Sequence, residues 1–109
     1  FKDINLLLIL LRSPIETDKR KLELGQGENI GPEFIWKRIT KYQELLETLG
    51  VSELIFAMCT EISDERVLTQ VFMLALAYLY GGNRNGQQKI YETLLNDSEN
   101  LFLVKLFRL

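Results

Sequence analysis

The sequence predicts an all-α fold, namely a segment of an armadillo- or HEAT-like helical solenoid with about six helices in antiparallel pairs. Apolar residues recur three and four positions apart through most of the chain after Pro32. Gly50 and the pair Gly81-Gly82 interrupt this pattern, as glycines do where helices end. The connections between the helices are short, which favours stacked helix pairs, with an ordinary helical bundle as the alternative.

Two spacings support the solenoid. Ser52 and Asn83, which are expected to cap helices, lie 31 positions apart. Ser63 and Ser98, which open the second helix of each pair, lie 35 positions apart. Stacked helix pairs recur every ~30–45 residues. Because the chain begins without methionine and stops within an apolar pattern, we expect residues 1–109 to be a single fragment of a larger solenoid.

Residues 1–12 are predicted to form the first helix and residues 13–31 a surface loop. The apolar run at residues 4–11 ends at Ser13-Pro14, because the residue before a proline is pushed out of helical geometry. The polar, glycine-containing stretch that follows is typical of a loop. A buried strand is the alternative for the apolar run, but no partner strand is evident in the sequence.

Residues 32–109 are predicted to form stacked helices whose starts and ends have recognisable signals. Proline suits the first turn of a helix, serine and asparagine suit the capping position, and glycine suits the end. The expected starts are Pro32, Ser52, Ser63, Asn83 and Ser98, and the expected ends are Gly50, Gly81-Gly82 and Asn96-Asp97.

The stretch at residues 67–83 is predicted to be the core helix around which the others pack. Two adjacent stripes along this helix are apolar, so the helix has little contrast between a buried apolar face and an exposed polar face. We therefore expect Phe72, Leu76 and Leu79 to be covered by neighbouring helices. The two stripes are Val67, Val71, Leu74 and Tyr78, and Leu68, Phe72, Ala75 and Leu79; Gln70, Met73 and Ala77 form a third face that another helix can approach closely.

The composition excludes several functional classes. A hydrophobic fraction of 47% is ordinary for a globular chain, and the net charge of −2 gives no electrostatic basis for binding nucleic acid or anionic lipid. One cysteine and no histidine exclude an internal disulfide and the usual zinc frameworks. Residues 67–80 would cover only ~21 Å as a helix, against a hydrocarbon core of ~30 Å, so no membrane span is expected.

Catalytic chemistry has few candidates, and we expect no catalytic, cofactor-binding or metal-binding residues. Without histidine, neither a Ser-His nor a Cys-His pair can form. Cys59 lies on an apolar stripe, where cysteine behaves as a small hydrophobe. The acidic pairs Asp64-Glu65 and Glu44/Glu47 could act as acid and base, but helix starts and solvated faces are the commoner roles for such residues.

Three loops and one tryptophan are the remaining candidates. Residues 81–86 invite a phosphate-loop interpretation, but they lack the Walker ending and follow a helix, so helix capping is favoured. The acidic turn at residues 96–100 lacks the EF-hand order. Basic residues 19–21 near Ser13 suggest a phosphorylation-regulated loop or, more simply, a solvated one. Trp36 lies off the apolar stripe and is predicted to pack on a helix from the missing N-terminal side of this segment, with a partner hot spot as the alternative.

Residues 43–107 carry a family resemblance. The elements that carry it are QELLETLGVSELI at 43–55, SDERV at 63–67, LALAYLYGGN at 74–83, a glutamine at Gln87 or Gln88, Tyr91 and Phe102. This succession resembles a helical segment of the large cytosolic region of the inositol trisphosphate receptors, which ryanodine receptors share in looser form. Residues 1–42 do not align with the family.

The resemblance implies a non-catalytic, cytosolic armadillo-type solenoid that links ligand sensing to the opening of a calcium-release channel. It carries no catalytic, ligand or metal residue over to this chain. The implied partners are neighbouring helices of the parent chain and, through the parent channel, a homotetramer, with no nucleic acid and no direct membrane contact. The implied location is the cytosolic face of the endoplasmic reticulum or a related calcium-store membrane.

Two other functions stay open at this point. The first is a generic cytosolic armadillo/HEAT scaffold whose groove binds a partner protein. The second is a small enzyme that uses Asp64, Glu65 or Cys59, which the absent histidine disfavours.

Overall fold

The computed structural model describes residues 2–25 and 31–96, and in these residues the chain is all-α, as predicted. No strand occurs within these two ranges. The sixth helix expected from Ser98 lies outside the described residues. The five helices are α1 (Lys2–Leu24), α2 (Pro32–Thr48), α3 (Val51–Glu61), α4 (Glu65–Leu79) and α5 (Arg84–Leu95).

Helix α1 is about twice as long as predicted, so the proposed division into a helix at 1–12 and a loop at 13–31 is wrong. Pro14 lies inside the helix. Proline removes one backbone donor and usually kinks or breaks a helix. Here the residues beyond it are anchored by burial, since Ile15 is 1% exposed and Asp18 is 9% exposed. The Tyr42 hydroxyl also donates to the carbonyl of Leu11 at 2.8 Å, beside the site of the proline. Tertiary contacts therefore outweigh the local signal.

Helices α1 and α4 pack side by side and run in the same direction. The Arg12 guanidinium donates to the side-chain oxygen of Gln70. Seven residues later, the Lys19 ammonium lies 5.2 Å from the centroid of the Tyr80 ring. Later residues of α1 thus meet later residues of α4, which defines a parallel pair. This packing is the most extensive between any two helices in the described ranges.

Helix α2 runs antiparallel to both of them. Against α1, Tyr42 contacts Leu11 and Arg38 contacts Asp18, so residue numbers rise on one helix as they fall on the other. Against the end of α4, the Gln43 side-chain amide donates to the carbonyls of Ala77 at 3.2 Å and of Tyr80, the residue that follows α4, at 2.8 Å. Gln43 is 4% exposed, and these bonds compensate for burying its amide.

The core lies where α1, α2, α3 and α4 meet. Its side chains come from four helices, and α5 adds the partly buried Leu94. Cys59 is fully buried among them, in agreement with the prediction that it is a core residue. The buried core residues are Leu8 and Ile15 of α1, Ile35, Ile39 and Leu46 of α2, Val51, Ile55 and Cys59 of α3, and Val67, Val71, Leu74, Ala75, Ala77 and Tyr78 of α4.

Helix α4 is the core helix that the sequence predicted, but it is not enclosed on all sides. Leu74 and Tyr78 on the predicted inner stripe are fully buried. Phe72 is partly buried, whereas Leu76 is 71% exposed and Met73 is 36% exposed. The expectation that Leu76 is covered is therefore wrong within the described residues, because the other helices pack against the opposite face of α4.

After Pro32 the helix junctions lie where they were predicted, but two of the three expected capping residues within the described ranges, Ser52 and Ser63, are not the caps. Helix α3 starts from Gly50, and Ser52 lies inside the helix rather than at its cap. Helix α4 is capped by Asp64 and not by Ser63: the Asp64 carboxylate accepts from the backbone N–H groups of Arg66 at 2.9 Å and Val67 at 3.4 Å. A carboxylate is a strong N-cap and also complements the helix dipole.

The last junction is as predicted. Gly81 and Gly82 follow α4 with φ values of +75° and +74°, in the left-handed region that glycine adopts without steric cost. Asn83 then caps α5, because its side-chain oxygen accepts from the backbone N–H of Gly86 at 3.2 Å. Asn96 is the C-cap residue of α5.

The contrast between Leu74 and Leu76 provides a matched test of this packing. Leu74→Ala should lower the free energy of unfolding by about 2–5 kcal/mol, because it leaves a cavity in the core. Leu76→Ala, on the same helix but 71% exposed, should change it by less than about 0.5 kcal/mol. Urea denaturation followed by circular dichroism measures both. Equal effects at the two positions would contradict the orientation of α4.

Tyr78 makes the stability depend on alkaline pH. Burial raises the pKa of Tyr78, the carboxylates of Glu47 and Glu53 raise it further, and the hydrogen bond from the Ser52 hydroxyl at 3.2 Å partly opposes this change. Because the pKa is higher in the folded state, the stabilisation is complete below the ordinary tyrosine pKa of about 10. It is lost as the pH rises through the raised value. Burial acts on the pKa of Tyr42 in the same direction.

Tyr78→Phe should therefore reduce the loss of stability above pH ~10. At pH 7 it should cost about 1 kcal/mol, because the buried Ser52 hydroxyl loses its partner. Unfolding free energies measured at several pH values test both effects. Tyr91→Phe, at a tyrosine that is 57% exposed, is the control for removing a hydroxyl at neutral pH. An alkaline profile identical to that of the wild type would refute the role of Tyr78.

Candidate functional site

A groove of about 610 Å³ lies between α1 and α2. It lies on the outer side of the α1/α2 pair, because Ile15 and Ile39 form its floor and are themselves buried core residues. Its lining residues are Ser13, Pro14, Ile15, Thr17, Asp18 and Lys21 of α1, and Arg38, Ile39, Lys41, Tyr42 and Leu45 of α2.

A two-pronged ion pair crosses the groove. The Arg38 guanidinium donates to both carboxylate oxygens of Asp18, at 3.1 Å and 2.6 Å. The Asp18 side chain is only 13% exposed, so this pair is better shielded than an ordinary surface ion pair. The bidentate geometry fixes both side chains, and it ties the second half of α1 to α2. The sequence could not indicate this pair, because Asp18 had been assigned to a loop.

Two lysines add positive charge to the groove. Lys21 and Lys41 line it, and neither has an ion-pair partner within residues 2–25 and 31–96. The basic residues 19–21 thus lie on a helix, so neither the solvated loop that was favoured nor the regulatory loop that was its alternative is correct. Lys19 faces α4, while Lys21 faces the groove. Ser13 also lies in this helix and lines the groove.

A second, smaller recess of about 340 Å³ lies at the end of α4, beside Trp36. The Trp36 and Tyr80 rings stack with centroids 5.5 Å apart and planes 10° apart. The Lys19 ammonium lies over the ring of Tyr80. Within the described residues Trp36 therefore packs at the end of α4, a helix of the same chain, and not on the helix that was expected beyond the N-terminal side of this segment. It is still 40% exposed.

The glycine-rich residues 81–86 act as a helix junction in this recess. A Cβ atom on Gly81 would lie 2.6 Å from a ring carbon of Trp36, so the backbone approaches the indole too closely for any side chain. The Asn83 side chain donates to the carbonyl of Tyr78 at 2.8 Å and accepts from the backbone N–H of Gly86. It thus pairs one backbone group at the end of α4 and one at the start of α5. Capping accounts for each of these contacts, in line with the favoured interpretation.

The other predicted candidates are not brought together. Asp64 caps α4, Glu65 lies in its first turn, and Cys59 is fully buried in α3. No group of three or more histidine, cysteine, aspartate or glutamate side chains suited to a metal ion occurs within the described ranges. Of the acidic turn at 96–100, only Asn96 is described, and it ends α5. None of the helices in the described ranges has the length and apolar character needed to cross a bilayer.

Comparison with known proteins identifies no relative. No protein-family model matches the chain, and no curated protein or solved structure is significantly similar to it.

The close approach of Gly81 to Trp36 can be tested with a pair of adjacent substitutions. Gly81→Ala and Gly82→Ala both force a side chain into the left-handed region, at a cost of about 1–2 kcal/mol. Only Gly81→Ala also collides with the indole, since nothing lies within 4 Å of a Cβ on Gly82. We expect Gly81→Ala to be the more destabilising of the two in chemical denaturation.

Trp36→Ala supplies the control. In that background the difference between the two glycine variants should shrink, because the collision is removed. Trp36 is the single tryptophan of the chain, so its fluorescence also reports the local change directly in the two glycine variants. A difference that persists in full without the indole would show that another contact causes it.

Proposed function

We propose that this chain is a non-catalytic segment of a cytosolic α-solenoid in an intracellular, ligand-gated calcium-release channel of the inositol trisphosphate receptor type. In this role it transmits conformational change from ligand sensing to the pore. The observation that carries the solenoid part of the proposal is the parallel packing of α1 on α4. The channel part rests on the sequence resemblance of residues 43–107.

The direction of helices separates two architectures. In a simple up-and-down bundle, successive helices alternate in direction, so the first and fourth are antiparallel. In a stack of three-helix repeats, the corresponding helices of successive repeats lie side by side and parallel. The Arg12–Gln70 and Lys19–Tyr80 contacts make α1 and α4 parallel neighbours. This packing supports three-helix repeats and argues against the repeating helix pairs expected from the sequence, in which the first and fourth helices would also be antiparallel.

Exposed apolar side chains on opposite faces support continued stacking. Leu6 is 56% exposed on the side of α1 that faces away from the core, and Leu76 is 71% exposed on the outer face of α4. Exposed apolar surface of this kind usually marks an interaction site. In a solenoid, the helices of the adjacent repeats cover such faces.

The contacts between helices suit a segment that moves as a unit. The Asp18–Arg38 ion pair joins α1 to α2, and Gln43 joins α2 to the end of α4. A displacement imposed on one of these helices is therefore passed to the others without stretching a loop. Packed helices shift between discrete arrangements, and this is how such elements carry a signal between distant sites.

A generic armadillo/HEAT scaffold for protein–protein interaction is the second candidate. The groove between α1 and α2, which Lys21 and Lys41 line, favours it. Both candidates need the same helical packing, and they differ in what the parent chain contains. An enzyme is the least supported of the three functions, because the candidate acids serve as helix-start residues and the sequence has no histidine.

The parent transcript separates the two leading candidates. We expect it to encode membrane-spanning helices after Leu109 and a ligand-binding region elsewhere in the chain. A parent chain with no membrane-spanning helix after Leu109 would reject the channel and leave the scaffold.

The coupling itself is tested in the parent protein. Leu76→Arg should weaken calcium release evoked by inositol trisphosphate several-fold at unchanged protein abundance, because a buried charge disrupts the contact with the adjacent repeat. Gln87→Arg, at an exposed position of α5, introduces the same side chain and should leave release unchanged. Calcium release from permeabilised stores, read with a fluorescent indicator, is the measurement. Equal responses of both variants would refute a stacking role for α4.

A further inference from the structure

The outer surface of the α1/α2 pair has an apolar part and a basic part. Side chains that are three and four positions apart on a helix lie in one row along its surface, and α1 has such a row on this side. The antiparallel α2 offers a facing row of the same kind. The row on α1 is Leu7, Leu10, Pro14, Thr17 and Lys21, and the row on α2 is Arg38, Lys41, Leu45 and Leu49.

The contacts between the helices set which residues lie level with one another. Leu11 meets Tyr42, and Asp18 meets Arg38. Leu10, next to Leu11, therefore lies nearly level with Leu45, which is about one turn beyond Tyr42. Exposed leucines adjoin the groove at one end: Leu45, which is 49% exposed, lines it. Leu7, Leu10 and Leu49, which are 52%, 58% and 69% exposed, continue the two rows beyond its lining.

The rest of the groove, from Pro14 to Lys21 along α1, carries the basic side chains. Asp18 and Arg38 neutralise each other across it. Lys21 and Lys41 remain, and within the described residues no carboxylate pairs with either of them. The acidic residue on the α1 row, Asp3, lies at the far apolar end. The groove thus joins an uncovered apolar surface to a local excess of positive charge, in a chain whose net charge is −2.

We propose that this groove binds an amphipathic helix of a partner protein whose apolar face is flanked by acidic residues. Its apolar side chains would cover Leu10 and Leu45, and its carboxylates would pair with Lys21 and Lys41. Binding of an amphipathic helix in a groove between two helices is a recurring mode of peptide recognition. The charge pattern selects an acidic partner over a basic one and speeds its association.

Charge also decides between this occupant and the chain's own C-terminal residues. The apolar segment at residues 101–109 carries Lys105 and Arg108 and no acidic side chain. It would place like charges beside Lys21 and Lys41, so it is the poorer match. The proposal goes beyond the solenoid function, because it concerns a surface of α1 and α2 and does not require a channel.

Peptide binding to the recombinant chain tests the proposal. The probe is a fluorescein-labelled synthetic peptide of about 18 residues, with leucines three and four apart and glutamates on the flanks. A matched peptide carries lysine at every glutamate position, and a third has the acidic composition in scrambled order. We expect the acidic amphipathic peptide to bind at least about tenfold more tightly than either control in fluorescence anisotropy.

Variants of the chain locate the site. Lys41→Glu and Lys21→Glu should each weaken binding by about tenfold, because attraction becomes repulsion. Lys89→Glu, at an exposed position of α5, makes the same charge change outside the groove and should have no effect. Leu10→Ser should weaken binding, whereas Leu95→Ser, at a leucine that is 67% exposed on α5, should not. Circular dichroism confirms that each variant keeps its helical content, and Lys41→Gln serves as a milder second variant.

Two results would overturn the proposal. One is equal binding of the acidic and basic peptides, or equal effects of Lys41→Glu and Lys89→Glu. The other is sedimentation with vesicles of phosphatidylserine and phosphatidylcholine without binding of the acidic peptide, which would assign the basic, apolar surface to a membrane. A missing pore in the parent chain would reject the channel but leave these results unchanged, so the two failures are distinguishable.

Discussion

Burial on both sides of Pro14 is the constraint on which the rest of this structure depends. Leu8 before the proline and Ile15 after it are each 1% exposed, so α1 must continue in one direction across a residue that normally ends a helix. The hydroxyl of Tyr42 donates to the carbonyl of Leu11 beside the interruption, and Asp18 is held by Arg38 a turn later. Only because α1 persists can it run parallel to α4 over most of that helix and present its outer row to solvent.

Several features were accessible from sequence because their causes are local. The Gly81-Gly82 ending and the Asn83 cap depend on conformational preferences of single residues, and both occur as predicted. The inner stripe of α4 follows from helical periodicity, and Leu74 and Tyr78 are fully buried. The all-α class follows from the same periodicity.

Other features depend on contacts between residues far apart in the chain, which periodicity does not encode. The polar residues after Pro14 looked like a loop, and their helical state depends on tertiary contacts: the burial of Ile15 and the pairing of Asp18 with Arg38. Serine is a residue type that often caps helices, but the hydroxyl of Ser52 donates across the core to the hydroxyl of Tyr78. The groove between α1 and α2 could not be predicted at all, because half of it belongs to the stretch that had been assigned to the loop.

The two uncovered surfaces make different physical demands on a partner. Leu76 lies on the outer face of α4, next to the partly buried Phe72 and Leu79, and such a face is satisfied by any apolar helix that packs closely. The α1/α2 groove is lined by apolar side chains together with Lys21 and Lys41. A partner without carboxylates would leave these two ammonium groups near apolar surface, at an energetic cost. A partner that covers α4 therefore needs only a complementary shape, whereas a partner that fills the groove needs a complementary shape and a complementary charge. A chain that stacks through one surface can still select an acidic partner with the other, because the two surfaces belong to different helix faces and share no exposed side chain.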